Sequence, residues 1–335
     1  MKISIMNYFL EMNNPRISIL MPVHNMQRYI RLAIDSILKQ TFTDFELIIV
    51  DDGSIDDTVK IISEYQDDRI KCFIRQHKGV GPQLNFALSN ARYDLVARMD
   101  ADDISMLDKL QKQFNFLISN KHIDILGTNA YFIDVQGEKM YYKKFPQNHE
   151  DIEFMMPIIN SILHPTILTY KKILHNAGGY RDHLSEDHSE DHELYLRLLK
   201  MGYKFHNIQE PLFQYRIIEK NEEFYSIQNK YFYESSIEYL QYYYSNKKSR
   251  HEKGKYYLRM GMLEYYKGSI KKSRKLFLKS FLLIPSKLHI LVRYLLFTLF
   301  GNNLLNFLRK KKITMKINQF ILSNFNIDTY NIKGF

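Results

Sequence analysis

The chain of 335 residues contains no tryptophan and one cysteine, Cys72. A single thiol excludes internal disulfides and fits a reducing compartment. Nowhere does the sequence run for 18 apolar residues without a polar or charged break, so no transmembrane span is read. Residues Met1 to Met12 mix apolar positions with Lys2, Asn7 and Glu11, and they lack both a long apolar centre and a small-residue cleavage site. No signal peptide is therefore read, and a cytoplasmic location is expected. A phosphate loop is also missing. Lys78, Gly79, Val80 and Gly81 fit neither GxxxxGK[ST] nor GxGxxG, so an ordinary flexible loop is expected there and not a backbone anion site.

What is present is a globular composition. With 45% hydrophobic and 25% charged residues the chain can bury a sizeable core in one large domain with an appendage, and disorder is excluded. The net charge of +10 is unevenly placed. Lys220 to Phe335 carries 22 Lys and Arg against 7 acids, net +15, which leaves 25 against 30, net −5, for Met1 to Glu219. A basic rear segment attracts either nucleic acid or an anionic membrane surface.

The first half alternates strand and helix signals. Ile17 to Met21 is a short apolar run ending at Pro22; Ile30, Ala33, Ile34, Ile37 and Leu38 recur at helical spacing; Phe45 to Val50 is the next strand. The unit repeats with Ile70 to Ile74, a helix near Leu84 to Ala91, and a strand from Leu95 to Met99. Parallel strands with helices on both faces follow from that rhythm. Beyond Asp103 a further helix is expected through Leu107, Leu110, Phe114 and Leu117, then a strand and hairpin from Ile123 to Gly137.

Two of these strands run out into carboxylates: Asp51 and Asp52 after the second, and Asp100, Asp102 and Asp103 after the fourth. In an open α/β sheet the carboxyl ends of neighbouring strands share a crevice where nucleotides bind. Clustered carboxylates are costly unless a cation compensates them, and a divalent ion shared with a diphosphate does so.

The ordered set ISILMPVHN (Ile17 to Asn25), FELIIVDDGSIDDT (Phe45 to Thr58), ARMDADD (Ala97 to Asp103), HPT (His164 to Thr166), GGYRD (Gly178 to Asp182) and EDHELYLRL (Glu190 to Leu198) resembles family 2 glycosyltransferases of the GT-A fold. The likeness covers roughly Arg16 to Arg216. It implies an α/β, Rossmann-like nucleotide-binding sheet and transfer of a sugar, with inversion, from a nucleotide-sugar donor, usually UDP-linked. Pro22, His24, Asp52, Asp100, His164 and Glu190 are the implied substrate-binding residues, Asp102 the metal ligand for Mn²⁺ or Mg²⁺, and Asp191 the catalytic base. Where His24 stands, family members more often carry Tyr.

Each role has a physical reading and a plainer rival. Asp52 accepts a base N–H beside a flat His24, or it is turn chemistry with Asp51, Gly53 and Ser54. A metal held by Asp102 neutralises a leaving diphosphate. Asp100 then faces the ribose or a metal-bound water, and Asp103 caps the following helix. Asp191 takes the acceptor's proton, or it joins Glu190 as a first-turn acid on the helix dipole. With no partner nucleophile, direct displacement is favoured over a covalent intermediate. His164 approaches the diphosphate or is a buried, bonded histidine. Gly178 and Gly179 permit a bend in a loop over the acceptor. Arg98 pairs with the acidic cluster. His188 and His192 stand four apart, but Ser189 follows His188 where the zinc protease pattern has Glu.

In the rear segment Tyr257, Met260, Gly261, Gly268, Ser273, Phe277, Ser280 and Pro285 follow the spacing of one tetratricopeptide unit, with Tyr in place of Trp. Leu288 to Leu308, broken by Arg293, Gly301, Asn302 and Asn303 and followed by Arg309 to Lys312, reads as an interfacial helix or a buried one. No RNA-binding signature accompanies the Tyr, Phe and Lys, so nucleic acid is not an expected partner. The expected organisation is an N-terminal extension (1–15), a GT-A domain (16–218) and a mostly helical, basic C-terminal region (219–335). The expected work is surface-polysaccharide or lipopolysaccharide synthesis on a glycan or lipid-linked acceptor, at the inner face of the membrane. A nucleotidyltransferase and a non-catalytic sugar-nucleotide-binding scaffold are the alternatives.

Overall fold

The computed structural model describes residues 16–181, 189–218 and 222–284. The expected N-terminal extension, His188, Pro285 and the segment from Leu288 to Lys312 lie outside the described residues. By their contacts the described residues form two compact units: one of residues 16–149, 162–181, 189–194 and 202–218, the other of residues 150–161, 195–201 and 222–284.

In the first unit β1 (Ile17–Val23) and β2 (Phe45–Asp51) are buried at every position, as their mostly apolar sequence requires of strands covered on both faces, with the buried Ser18 hydroxyl donating to Glu46 at 2.6 Å. Between them α1 (Ile30–Leu38) buries Ile30, Ala33, Ile34 and Ile37 at helical spacing. The chain continues through α2 (Thr58–Ser63), β3 (Ile70–Ile74), α3 (Val80–Asn90) and β4 (Leu95–Arg98). These four strands are parallel in the order β3-β2-β1-β4, with Ile17 level with both Phe45 and Leu95. Pro22 is tolerated inside β1 because of where its missing N–H would point. The Leu20 carbonyl accepts from Met99 N on the β4 side, Pro22 faces that same side, and β4 pairs no further than Leu20.

Beyond Asp103, where the sequence leads to an expectation of a helix and then a strand and hairpin, the sheet is mixed. Here the chain forms β5 (Ile104–Ser105), α4 (Lys109–Ser119), β6 (Ile125–Ile133), β7 (Lys139–Lys143), α5 (His149–Met155), a 3₁₀ turn at His164–Thr166, β8 (Leu168–Tyr170), α6 (Lys171–Asn176), α7 (Glu190–Lys200) and β9 (Phe205–Arg216). The full order is β3-β2-β1-β4-β8-β6-β9-β5, with β7 on β6 as the expected hairpin. β8 runs antiparallel to both β4 and β6, and β9 runs parallel to β6. The parallel half ends where the strict βα alternation of the sequence ends.

The second unit contains α8 (Glu222–Tyr244), α9 (Arg250–Tyr266) and α10 (Ile270–Leu283). Ser249 caps α9, its Oγ accepting from Glu252 N at 3.1 Å. The tetratricopeptide spacing corresponds to the α9–α10 hairpin, turned at Gly268 with φ +83°. Ser273 Oγ donates to the Gly261 carbonyl at 2.8 Å and Ser280 Oγ to the Gly254 carbonyl at 2.9 Å. A Cβ on Gly261 would stand 2.7 Å from the Phe277 ring, so the absence of a side chain is what lets the helices approach. Arg259 is buried in this unit, its Nη2 donating to the Glu153 carbonyl at 2.6 Å, with Phe154, Tyr239 and Tyr243 rings around it. Among the described residues no helix is long and apolar enough to cross a membrane.

Candidate functional site

At the end of β2 the Asp52 carboxylate is almost fully buried and densely bonded. It accepts from Lys78 N at 2.7 Å, Gly79 N at 2.9 Å and the Gln83 side-chain amide, and it pairs with His77 Nδ1 at 2.9 Å. The segment Lys78 to Gly81, expected to be a plain loop, thus does bind an anion through its amides. That anion is the protein's own side chain, and Gly79 reaches it with φ +84°. His24 Nδ1 lies 2.9 Å from the Asp52 carbonyl, and the His24 and His77 rings stand 4.5 Å apart with a 31° tilt. Two imidazoles therefore form a flat surface beside an acceptor, at the carboxyl edge of the parallel strands. His77 carried no motif of its own. Its place shortly after β3, which pairs with β2, is the signal that could have found it.

β4 ends one strand away. Asp100, Asp102 and Asp103 each offer a carboxylate oxygen within 4.8 Å of the others. Arg98 is buried and paired with Asp100, as expected. Asp103 does not cap the next helix: α4 starts at Lys109, behind Asp108, because the chain first pairs with β9 as β5. Asp103 is instead fully buried. Its Oδ1 accepts from Arg216 N at 2.7 Å, and its Oδ2 has no hydrogen-bond partner. Burial, followed by the charges of Asp102 and Asp100, pushes its carboxyl well above the usual range. Arg216 braces the turn: Nε donates to the Asp102 carbonyl at 2.7 Å, Nη1 to the Asp134 carbonyl at 2.8 Å, and the guanidinium lies 4.4 Å from the Tyr29 ring centre. One buried orphan oxygen in a group of three carboxylates is an electrostatic deficit that a divalent cation with oxygen ligands fits.

The remaining predicted residues gather near Arg98 and Tyr180. His164 is buried, with Nε2 2.9 Å from the Tyr180 hydroxyl; burial, then Arg98, holds its imidazole well below the ordinary histidine range, so it is neutral. Tyr180 is fixed in turn by Asn85 of α3, which donates to its carbonyl at 2.7 Å and accepts from its N–H at 2.8 Å. Gly178 and Gly179 have φ of +80° and +69°, which supply the bend before it. Glu190 and Asp191 open α7, and Asp191 Oδ1 accepts from His192 N at 2.7 Å. Glu190 is buried with Oε2 unpartnered, and its carboxyl is raised by burial first and then by Asp191, with Arg98 and Asp100 also in electrostatic reach. Glu190 therefore favours its protonated form. His192 is buried and its imidazole is lowered to about 3 by that burial. Pro22 lies within the sheet, and His24, Asp52, Asp100, Asp102, Glu190, Asp191 and His164 all belong to this unit.

The raised Glu190 carboxyl gives a test of sign. A carboxyl whose folded value lies above its unfolded one adds most stability at low pH and loses it as pH rises towards the folded value. Relative to the wild type, E190Q is expected to gain stability as pH rises above 4.5, the reference value, by up to about 1.4 kcal/mol per pH unit. Urea unfolding of both proteins at pH 5, 6 and 7 measures this. A difference that does not change with pH contradicts the buried, protonated Glu190.

The model of glycosyl transferase family 2 matches residues 18–179. An Escherichia coli protein, O-antigen biosynthesis glycosyltransferase WbnJ, is 34% identical over 210 residues, spanning 61% of this chain and 81% of that protein. The chain belongs to glycosyl transferase family 2. Amylovoran biosynthesis glycosyltransferase AmsE of Erwinia amylovora is 26% identical to this family member over 204 residues, 59% of this chain and 75% of its own. Among solved structures, S. aureus TarS 1–349 in complex with UDP-GlcNAc superposes with a TM-score of 0.53 at 18% identity, covering 83% of this chain and 89% of that one. That likeness establishes the GT-A fold for this glycosyltransferase.

Proposed function

We propose that this glycosyltransferase moves a sugar from a UDP-linked donor, a hexose or N-acetylhexosamine, to a hydroxyl of a glycan or lipid-linked acceptor, with inversion at the anomeric carbon. The carrying observation is the orphaned, buried Asp103 oxygen beside Asp100 and Asp102, in the same unit as the Glu190–Asp191 pair. Asp102, supported by Asp100, would hold Mn²⁺ or Mg²⁺, which supplies Lewis-acid neutralisation of the leaving diphosphate. Asp191 takes the proton from the attacking hydroxyl, and the protonated Glu190 beside it keeps the pair's single negative charge on Asp191. No second carboxylate is assigned as nucleophile, which favours one direct displacement. The His24 and His77 rings beside Asp52 suit the base of the donor, since uracil stacks on an aromatic face.

Two relatives whose names refer to O-antigen and amylovoran synthesis support a role in surface-polysaccharide synthesis, and the UDP-GlcNAc complex of TarS supports the donor class. In this reading residues 16–218 form the catalytic domain and residues 219–335 an appendage, with the protein working at the cytoplasmic face of the membrane. A screen of UDP-sugars for UDP release, with Mn²⁺, Mg²⁺ or EDTA, tests the reading. Release is expected with one or two donors and loss of release with EDTA; no release with any nucleotide sugar overturns it.

A further inference from the structure

We infer that the outer face of α10 is a docking surface for an anionic lipid bilayer. Over its 14 residues this helix carries five cations, Lys271, Lys272, Arg274, Lys275 and Lys279, and no acid. Its inner side is fixed by contact with α9, which buries Ser273, Phe277 and Ser280. At 100° per residue, Lys271, Lys275, Leu278 and Leu282 fall together within about 60° of arc, opposite that buried side. Leu278 is 54% exposed and Leu282 61%. The two leucines stand one turn apart on the same exposed stripe as Lys271 and Lys275.

The charges around them differ in availability. Lys272 is paired with Glu264 of α9. Lys271 and Lys275 have no ion-pair partner among the described residues, and Lys279 lies 5.4 Å from the Tyr257 ring centre on the flank of the stripe. Exposed cations beside an apolar strip match the chemistry of an anionic interface: leucine side chains enter the acyl boundary while ammonium groups meet the headgroup charge. Nucleic acid would answer the cations and leave the two leucines in water, so a bilayer accounts for both features and a polyanion for one. The inference is independent of the transfer chemistry and needs no catalytic readout.

The test uses the full chain in a C72S background with L278C carrying an environment-sensitive dye, mixed with vesicles of phosphatidylcholine containing about one-third phosphatidylglycerol. The expected result is a blue shift that is quenched by brominated acyl chains, while the same dye at K230C is unchanged. L278S/L282S, which alters exposed positions only, is expected to weaken vesicle binding about tenfold, and K271E/K275E to do so while flattening its salt dependence. Three results overturn the inference: a dye at 278 that stays in water while the protein floats with the vesicles, equal binding to pure phosphatidylcholine, or a response at 278 to RNA and none to vesicles.

Discussion

Asp191→Asn is expected to lower kcat by about 10² to 10⁴-fold while leaving UDP affinity and the response to Mn²⁺ within about twofold. The amide keeps the shape of the carboxylate and its ability to accept from His192 N, so the start of α7 is preserved. What is lost is the carboxylate proposed to receive the acceptor's proton. Glu190 is a poor substitute in the wild type because burial and the Asp191 charge keep it protonated. Removing that charge takes away one of the three raising causes, leaving burial and Asp100. The residual activity of D191N should therefore climb with pH more steeply than that of the wild type, as Glu190 begins to ionise. Steady-state UDP release against pH, with calorimetry for UDP, measures both halves. A D191N protein that retains wild-type kcat would move the base elsewhere and remove the main support for the proposed mechanism.

Asp102→Ala is expected to change activity and stability in opposite directions. Transfer should fall by about 10³-fold, since the developing charge on the diphosphate loses its counter-ion. The metal-free protein should nonetheless become more stable, because Asp102 is the larger of the two like charges raising the buried Asp103 carboxyl. Thermal unfolding with EDTA and with Mn²⁺ separates the two effects. The wild type should gain stability with Mn²⁺, and D102A should start higher and gain little. A wild type indifferent to Mn²⁺, Mg²⁺ and EDTA would discard the metal.

Much of this site was legible in the sequence because its parts sit at strand ends, where apolar runs stop abruptly in Asp. The β1, β2 and β4 boundaries follow from buried apolar runs such as Leu47 to Val50, and they fix the register that carries Asp52 and Asp100 to one edge. Beyond the β6–β7 hairpin, the mixed half of the sheet was not legible. β5 is two residues long and β8 three, too short for any periodicity, and both depend on partners far along the chain. Arg216 and His77 were missed for a related reason. Neither lies in a motif, and each acquires its role only when β9 or β3 brings it against the acidic turns. Asp103 was misread as a cap because an Asp before an amphipathic run ordinarily is one. Only the intervening pairing with β9 shows that it faces inward.

The grip on Asp52 has a consequence for how such an enzyme can diverge. Two of its holders, at Lys78 and Gly79, are main-chain amides, which every non-proline residue possesses. Exchanging the side chain of Lys78 leaves its amide intact, whereas Gly79 holds φ +84°, which glycine adopts without strain. The orientation of this acceptor is vulnerable to changes in loop length. The hold on Asp52 would then be lost by insertion or deletion between β3 and α3 more readily than by replacement of Lys78.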